Sequence, residues 1–266
     1  MLYFPQLQTG AIAQYPLRRR RVGRTALNAV PGGEEVKLWD ADDERLEWEL
    51  HLKGLTDEEW RAVEELFHAC EGSLGSFCFL DPTANLLRWS SDPTQTVWRR
   101  DAVLEAHSGL QDPFGGNGAV RLVNPGQTEQ TLSQALDVPA SFQYCFSLFV
   151  RGAAQGRVKL KQWSSSRTTA TEFEVTSSWR RISQTARLGG TEARVNFGVA
   201  IPAGGSVEIY GPQVEPHPGA SDYKESREQG GIYPSARFVS DELRVRTDGV
   251  DSHASVIRIA ASLKQS

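Results

Sequence analysis

Val207-Glu208-Ile209-Tyr210-Gly211-Pro212-Gln213-Val214-Glu215, followed by Tyr223, decides how this chain is read. Apolar and polar residues alternate from Val207 as a half-buried strand requires, a Gly-Pro pair breaks the alternation, and the strand pattern resumes. Upstream, from Ala102 onward, the texture is the same: Gly, Ser, Thr, Val and Gln dominate and no helical period appears. Apolar runs recur at Ala119–Val123, Phe142–Val150, Val158–Leu160, Glu172–Val175, Trp179–Leu188 and Val195–Ile201, with turn residues between them. Short strands at regular spacing predict an all-β sandwich over this segment.

The flanking segments read differently. Leu46, Trp48, Leu50 and Leu52 alternate with Arg45, Glu47, Glu49 and His51, a half-buried strand. Val36-Lys37-Leu38-Trp39 precedes it across Asp40-Ala41-Asp42-Asp43-Glu44, and that acidic link predicts a hairpin loop between antiparallel neighbours. A helix start follows: Thr56 as cap, Glu59 completing a capping box, Leu55 facing Trp60 as a hydrophobic staple. Trp60, Val63, Leu66, Phe67 and Cys70 mark one helical face before Glu71-Gly72-Ser73 ends it. Phe77-Cys78-Phe79-Leu80 reads as a strand stopped by Asp81-Pro82. After Gly230, Leu243–Arg246 and Val256–Ile259 flank Thr247-Asp248-Gly249-Val250-Asp251, a predicted hairpin. A lone hairpin is marginal in water, so it must pack on something, and the first segment has too few strands for a sheet of its own. The expectation is a discontinuous domain, residues 1–100 and 226–266, interrupted by a sandwich over 101–225.

Composition narrows the function classes. The 266 residues leave room for two domains, and 39% hydrophobic against 23% charged is a globular balance. A net charge of -4 and a pI near 5.8 give no overall pull toward nucleic acid or anionic lipid. No apolar run approaches the roughly 20 residues that span a bilayer. Met1 to Thr9 lacks a basic and an apolar region, so no signal peptide is expected and synthesis is placed in a cytoplasm. Cys70, Cys78 and Cys145 have no metal-ligand spacing and read as buried apolar fillers.

The Gly-Pro-Gln-Val-Glu phrase, with Trp179-Arg180-Arg181 ahead of it and Tyr223 after it, resembles the closing strand of jelly-roll modules in phage tail and fibre proteins and in related carbohydrate-binding modules. The first segment and the return hairpin together resemble the ring-forming domain of siphophage distal tail proteins and related minor tail proteins. The resemblance implies a mainly β fold: a discontinuous β-rich ring domain with one helix, plus an inserted jelly-roll sandwich. It also implies a structural, non-enzymatic virion protein that assembles with itself in a hexameric ring, inside the bacterial host cytoplasm. The ring would meet tail-tube and baseplate-hub proteins, with the jelly roll directed outward toward host-surface polysaccharide. A stand-alone carbohydrate-binding or lectin-like protein is the alternative, and a polysaccharide-degrading enzyme the third reading.

Several residue groups could carry such roles. Trp163, in Lys161-Gln162-Trp163-Ser164-Ser165-Ser166-Arg167, could stack on the C–H face of a sugar while Lys161 and Arg167 bind hydroxyls. Trp179 opens an alternating strand and reads as core; Trp89 and Trp98 flank the domain junction. Arg18-Arg19-Arg20-Arg21 suit a subunit interface, because guanidinium groups reach carboxylates bidentately. The blander reading pairs them with Asp40, Asp42, Asp43, Glu47 and Glu49, and a nucleic-acid reading lacks interleaved aromatics. Asp112-Pro113-Phe114-Gly115-Gly116-Asn117-Gly118 offers carbonyls and one Asp, as structural calcium sites do, but reads better as a glycine-rich turn, and no cofactor or metal is expected. Five scattered histidines and the lack of a Gly-x-Ser-x-Gly elbow give catalysis little support.

Overall fold

The computed structural model describes residues 1–29, 35–152 and 156–263. The described residues are mainly β with one helix, and the chain falls into two compact units. Unit 1 comprises Met1–Gln8, Ile12–Leu80 and Tyr233–Ser266; unit 2 comprises Thr9–Ala11 and Asp81–Ile232. Residues 81–100 and 226–232, assigned from sequence to the flanking segments, lie within unit 2. In chain order, β1 (Leu17–Ala29), β2 (Glu35–Leu55), α1 (Asp57–Ala69) and β3 (Phe77–Leu80) come first. Then come β4 (Arg99–Arg100), β5 (Glu105–Leu110), β6 (Ala119–Val123), β7 (Gln130–Leu136), β8 (Gln143–Arg151), β9 (Gly156–Trp163) and β10 (Thr168–Val175). β11 (Arg180–Arg187), β12 (Val195–Ile201), β13 (Ser206–Glu215), β14 (Ile232–Phe238), β15 (Arg246–Gly249) and β16 (Ser252–Ser262) complete the chain. No helix among the described residues is long and apolar enough to cross a membrane.

Unit 1 is one antiparallel sheet, ordered β1-β2-β16-β14-β3, with β15 on β16. The alternation in β2 buries Leu46, Trp48, Leu50 and Leu52. Trp48 packs against Phe79 and Tyr233, each with ring centroids 4.9 Å away, and Phe238 meets Phe77 at 4.8 Å and Phe67 of α1 at 5.2 Å. The helix start is as read: the Thr56 hydroxyl accepts from the Glu59 N–H, while the Glu59 carboxylate accepts from the Thr56 N–H. Asp57, Glu58 and Glu59 put negative charge in the first turn, where the helix dipole favours it.

The expected loop at Asp40–Glu44 does not exist. β2 runs unbroken through it, and β1 pairs with β2 along its length, with a bulge between Val22 and Arg24. The cause is charge. Arg18 stands opposite Glu49, Arg20 opposite Glu47 and Arg24 opposite Asp40, and Arg21 reaches Glu44, so an acidic segment that reads as a loop is held extended by an arginine strand. The Asp42 side chain and residues 30–34 lie outside what is described.

Unit 2 is a jelly-roll β-sandwich of two antiparallel sheets, β10-β9-β12-β7-β4 and β11-β8-β13-β6-β5. Phe197 of the first sheet meets Tyr144 and Phe146 of the second edge-on, at 5.6 and 6.0 Å, which makes the core between them. Cys145 is buried here, as Cys70 and Cys78 are in unit 1, and all three are free thiols.

The segment from Tyr210 to Tyr223 is a clasp. Gly211 has φ 58° at a bulge between Tyr210 and Gln213, and the Tyr223 ring packs against it. The Pro212 carbonyl accepts from the Asn85 amide at 2.9 Å. Gln213 accepts from the Lys224 N–H at 2.6 Å and donates to the carbonyls of Ser221 and Asp222. Glu215, fully buried, receives the Ser221 N–H at 3.0 Å, the Ser221 hydroxyl, the Lys224 ammonium at 2.8 Å and His217 at 3.2 Å. Burial pushes the Glu215 carboxyl up, but hydrogen bonds from His217, Lys224, Ser221 and Gln213 outweigh it and hold it far below the ordinary carboxylate range.

Candidate functional site

The outward face of the β10-β9-β12-β7-β4 sheet carries the residue the sequence singled out. In β9, Val158, Leu160 and Gln162 point into the core, so Lys159, Lys161 and Trp163 share the other face. Directly opposite residues in antiparallel strands project to the same side, which extends that face across the sheet. Asn196, Gly198 and Ala200 of β12 stand beside Trp163, Lys161 and Lys159; Ala135, Ser133 and Thr131 of β7 come next, then Arg99 of β4. The middle of the face is therefore a floor of small side chains. Its curvature has a local cause: a β-carbon on Gly198 would stand 2.9 Å from Thr131 Cγ2 and Ser133 Cβ, so only glycine allows β12 and β7 this approach.

The polar groups along the wall of this floor are fixed. The Lys161 ammonium lies 5.7 Å from the Trp163 ring centroid. Glu129, just ahead of β7, bridges the two lysines, with one oxygen 2.8 Å from Lys159 Nζ and the other 3.2 Å from Lys161 Nζ. Burial pushes the Glu129 carboxyl up, yet the lysine hydrogen bonds and charges prevail and hold it below its ordinary value. The hydrogen bond and charge of Glu129 push Lys159 up in turn. The Asn196 amide donates to the Trp163 carbonyl at 3.2 Å, tying the end of β9 to β12.

The structure brings Trp163 and Lys161 together and turns Arg167 elsewhere. Arg167 closes the β9–β10 turn: the Ser164 N–H donates to its carbonyl at 2.8 Å, and its guanidinium donates to the Leu188 carbonyl at 2.8 Å. Lys159, Glu129, Asn196, Gly198, Ser133 and Arg99 are not singled out by the sequence. The alternation Lys159-x-Lys161-x-Trp163 carries the signal for one of them; the others come from strands distant in the chain, which only the pairing register joins.

The opposite sheet presents a different outward face. Phe114 packs edge-on over Phe149 and Tyr210, at 5.5 and 6.0 Å, and Arg181 and Arg151 lie over the rings of Phe149 and Trp179. Trp179, read from sequence as core, is thus half-buried beneath Arg151. The loop holding Phe114 is closed on itself. The Asp112 carboxylate accepts the N–H groups of Phe114, Gly116 and Gly118 at 2.8, 3.1 and 3.1 Å, which makes it a turn anchor rather than a cation ligand. No cluster of three metal-ligating side chains occurs among the described residues.

In unit 1 a groove of about 670 Å³ runs between β16 and residues 240–246. Its arginines are answered locally, Arg244 by Glu242, Arg246 by Asp248 and Arg258 by Glu49. Arg18, Arg20 and Arg21 are exposed and pair with Glu49, Glu47 and Glu44 of the same chain, and Arg19 stands opposite Trp48 in the register.

No protein-family model matches the chain, and no curated protein matches its sequence. Solved structures do match in part. A family 61 carbohydrate-binding module in complex with β-1,4-galactotriose is 18% identical with a TM-score of 0.39, over 49% of this chain and 97% of that one. A family 22 carbohydrate-binding module of Clostridium thermocellum is 16% identical with a TM-score of 0.43, over 53% and 98%. The enzymatically active domain of tailspike protein 4 of bacteriophage CBA120 is 8% identical with a TM-score of 0.40, over 52% of this chain and 22% of that one.

Proposed function

We propose that the chain is a structural component of a phage tail tip, a ring-forming adaptor of the distal-tail class, whose jelly roll adheres to host-surface glycan. The observation that carries the glycan half is Trp163 beside Lys161, along a floor of Gly198, Ala200, Ser133 and Thr131. An aromatic ring next to charged donors, on a sheet face whose middle carries only small side chains, suits a sugar chain.

The assembly half is supported by the sequence resemblance and by the β1–β2 ribbon. Leu27, Leu38 and Trp39 are 60%, 53% and 59% exposed on it, more apolar surface than an isolated two-stranded ribbon keeps in water. Arg18 to Arg21 lie on the same strand, and in this reading they meet a neighbouring subunit with the donors their own carboxylates leave over. Closing a ring multiplies weak glycan sites into avidity. Tail tube, hub and host polysaccharide are the partners, and the virion is the location.

Light scattering and negative-stain imaging of the full chain, alone and with tail-tube and hub proteins, test the assembly. Rings are the expected result, and a strict monomer at every concentration and with every partner overturns it. A stand-alone carbohydrate-binding protein is the second reading. It is favoured by the whole Trp163 face lying within unit 2, and it predicts glycan binding by a chain that stays monomeric.

A further inference from the structure

Resting on the glycan reading above, we infer that the polymer taken by the Trp163 face is anionic, with its acidic groups seated on the cations of β9 and β4. The position of charge on the face leads to this. Lys159 and Lys161 lie two residues apart on one strand, so both ammonium groups rise on the same side of the sheet as Trp163. The Lys161 ammonium lies over the Trp163 ring, 5.7 Å from its centroid, so a sugar substituent at the ring meets that charge. Two adjacent ammonium groups offer donors and positive charge only, which an acidic substituent answers with charge as well as lone pairs and a hydroxyl with lone pairs alone.

Glu129 shows the chemistry the pair accepts. One carboxylate spans both lysines, with oxygens at 2.8 and 3.2 Å, which is the geometry a ligand carboxylate or phosphodiester would adopt. Two cations facing one anion leave net positive charge at that point. The row Lys161, Gly198, Ser133, Arg99 then crosses the sheet. Its three strand intervals span about 14 Å. At its far end Arg99 is exposed, and its guanidinium makes no hydrogen bond or ion pair among the described residues. Of the other carboxylates of the face, Glu172 pairs with Arg157 at 3.0 Å, Asp101 accepts the Thr131 N–H at 2.8 Å, and Glu174 stands opposite Arg157 at the end of β9 away from Trp163. Cations stand at both ends of the row, and the residues between them are small and buried.

The test is binding of the full chain to four polymers at low and high salt: polygalacturonate, polyglycerol-phosphate teichoic acid, xylan and β-1,4-galactan. The expected result is affinity for the uronate or the phosphodiester polymer that falls as salt rises. Which of the two binds identifies the source of the acid. Lys161→Gln should weaken that binding about tenfold. Glu129→Gln, which releases both lysines, should strengthen it, and both changes should move binding to the anionic polymer more than any residual binding to xylan or galactan. Neutral polymers bound as tightly as anionic ones, with Trp163→Ala abolishing binding and Lys161→Gln and Glu129→Gln leaving it unchanged, would overturn the anionic inference and leave the glycan reading standing. Binding to none of the four polymers, in ring or monomer, would overturn both. Circular dichroism of each variant separates these results from misfolding.

Discussion

The ring of Tyr223 lies 2.9 Å from the place where a β-carbon on residue 211 would stand, so Gly211 and Tyr223 form one structural unit although twelve positions separate them. Two independent constraints select the glycine. Its φ of 58° disfavours any side chain, and the ring fills the space that a side chain would need. Around this contact Asn85, Gln213 and Glu215 take up the backbone groups of residues 212–224, so the loop leaving β13 is pinned over the sheet.

Gly211→Ala should therefore destabilise unit 2 by about 2–3 kcal/mol, joining backbone strain to a clash with a buried ring. Gly204 separates the two causes. Its φ is 67°, but nothing lies within 4 Å of the point a β-carbon would occupy there, so Gly204→Ala should cost only about 1 kcal/mol. Urea unfolding of both variants measures the difference, and equal losses would remove the Tyr223 contact from the explanation.

Glu215 makes the same clasp acid-labile. Its carboxyl is held far below its unfolded value, so the stability it contributes is full above that unfolded value and declines as pH falls toward the folded one. Hydrogen-exchange protection of β13 and of residues 216–224 should hold from neutral pH to about pH 5 and fall progressively below it. Glu215→Gln should lower protection at neutral pH by about 3 kcal/mol, because Lys224 and His217 lose their buried partner, and should flatten the acid decline. An acid decline of unchanged steepness in the variant would place its origin in another carboxylate.

What is legible in the sequence follows from how local each signal is. The capping box of α1 needs four consecutive residues, and it reads directly. So do β6 and β12, whose apolar runs match the observed strands end to end. β5 escapes a sequence reading because Glu105-Ala106-His107-Ser108-Gly109-Leu110 is an exposed edge with no apolar face to display. β7 escapes it because its polar Ser133 and Gln134 are buried by tertiary contacts, the Gln134 amide exchanging hydrogen bonds with the Arg88 backbone. The acidic stretch in β2 misleads for the same reason: only the partner strand shows that its charges are answered. Trp163 and Lys161 stand out because they are neighbours in the chain, whereas Gly198, Ser133 and Arg99 join them only through register.

The β1–β2 ribbon offers a direct probe of assembly. Trp39 is largely exposed, and its ring covers Gly23 across the ribbon, so it contributes to no buried core. Trp39→Ser should leave the circular dichroism spectrum unchanged and weaken self-association about tenfold or more, read by sedimentation or light scattering. Unchanged association would move the subunit contact away from this face of the ribbon.

The arginine strand should respond to mutation according to how deeply each carboxylate is set, not according to the number of charges. Glu47 is buried and accepts from Arg20 at 2.7 Å and Arg45 at 2.9 Å, and these contacts outweigh the upward push of burial to hold its carboxyl below the ordinary value. Glu47→Gln should destabilise unit 1 by about 2 kcal/mol, since it leaves two guanidinium groups facing a neutral amide in a partly desolvated ladder. Arg18 lies at the surface with a 3.4 Å contact to Glu49, and Glu49 keeps Arg258 and His51 when that contact is lost. Arg18→Gln should therefore change stability no more than an ordinary surface substitution does. Urea unfolding at low and high salt checks the pair. A salt-sensitive loss at Arg18 equal to the loss at Glu47 would mean that total charge, and not the buried bridge, holds β1 to β2.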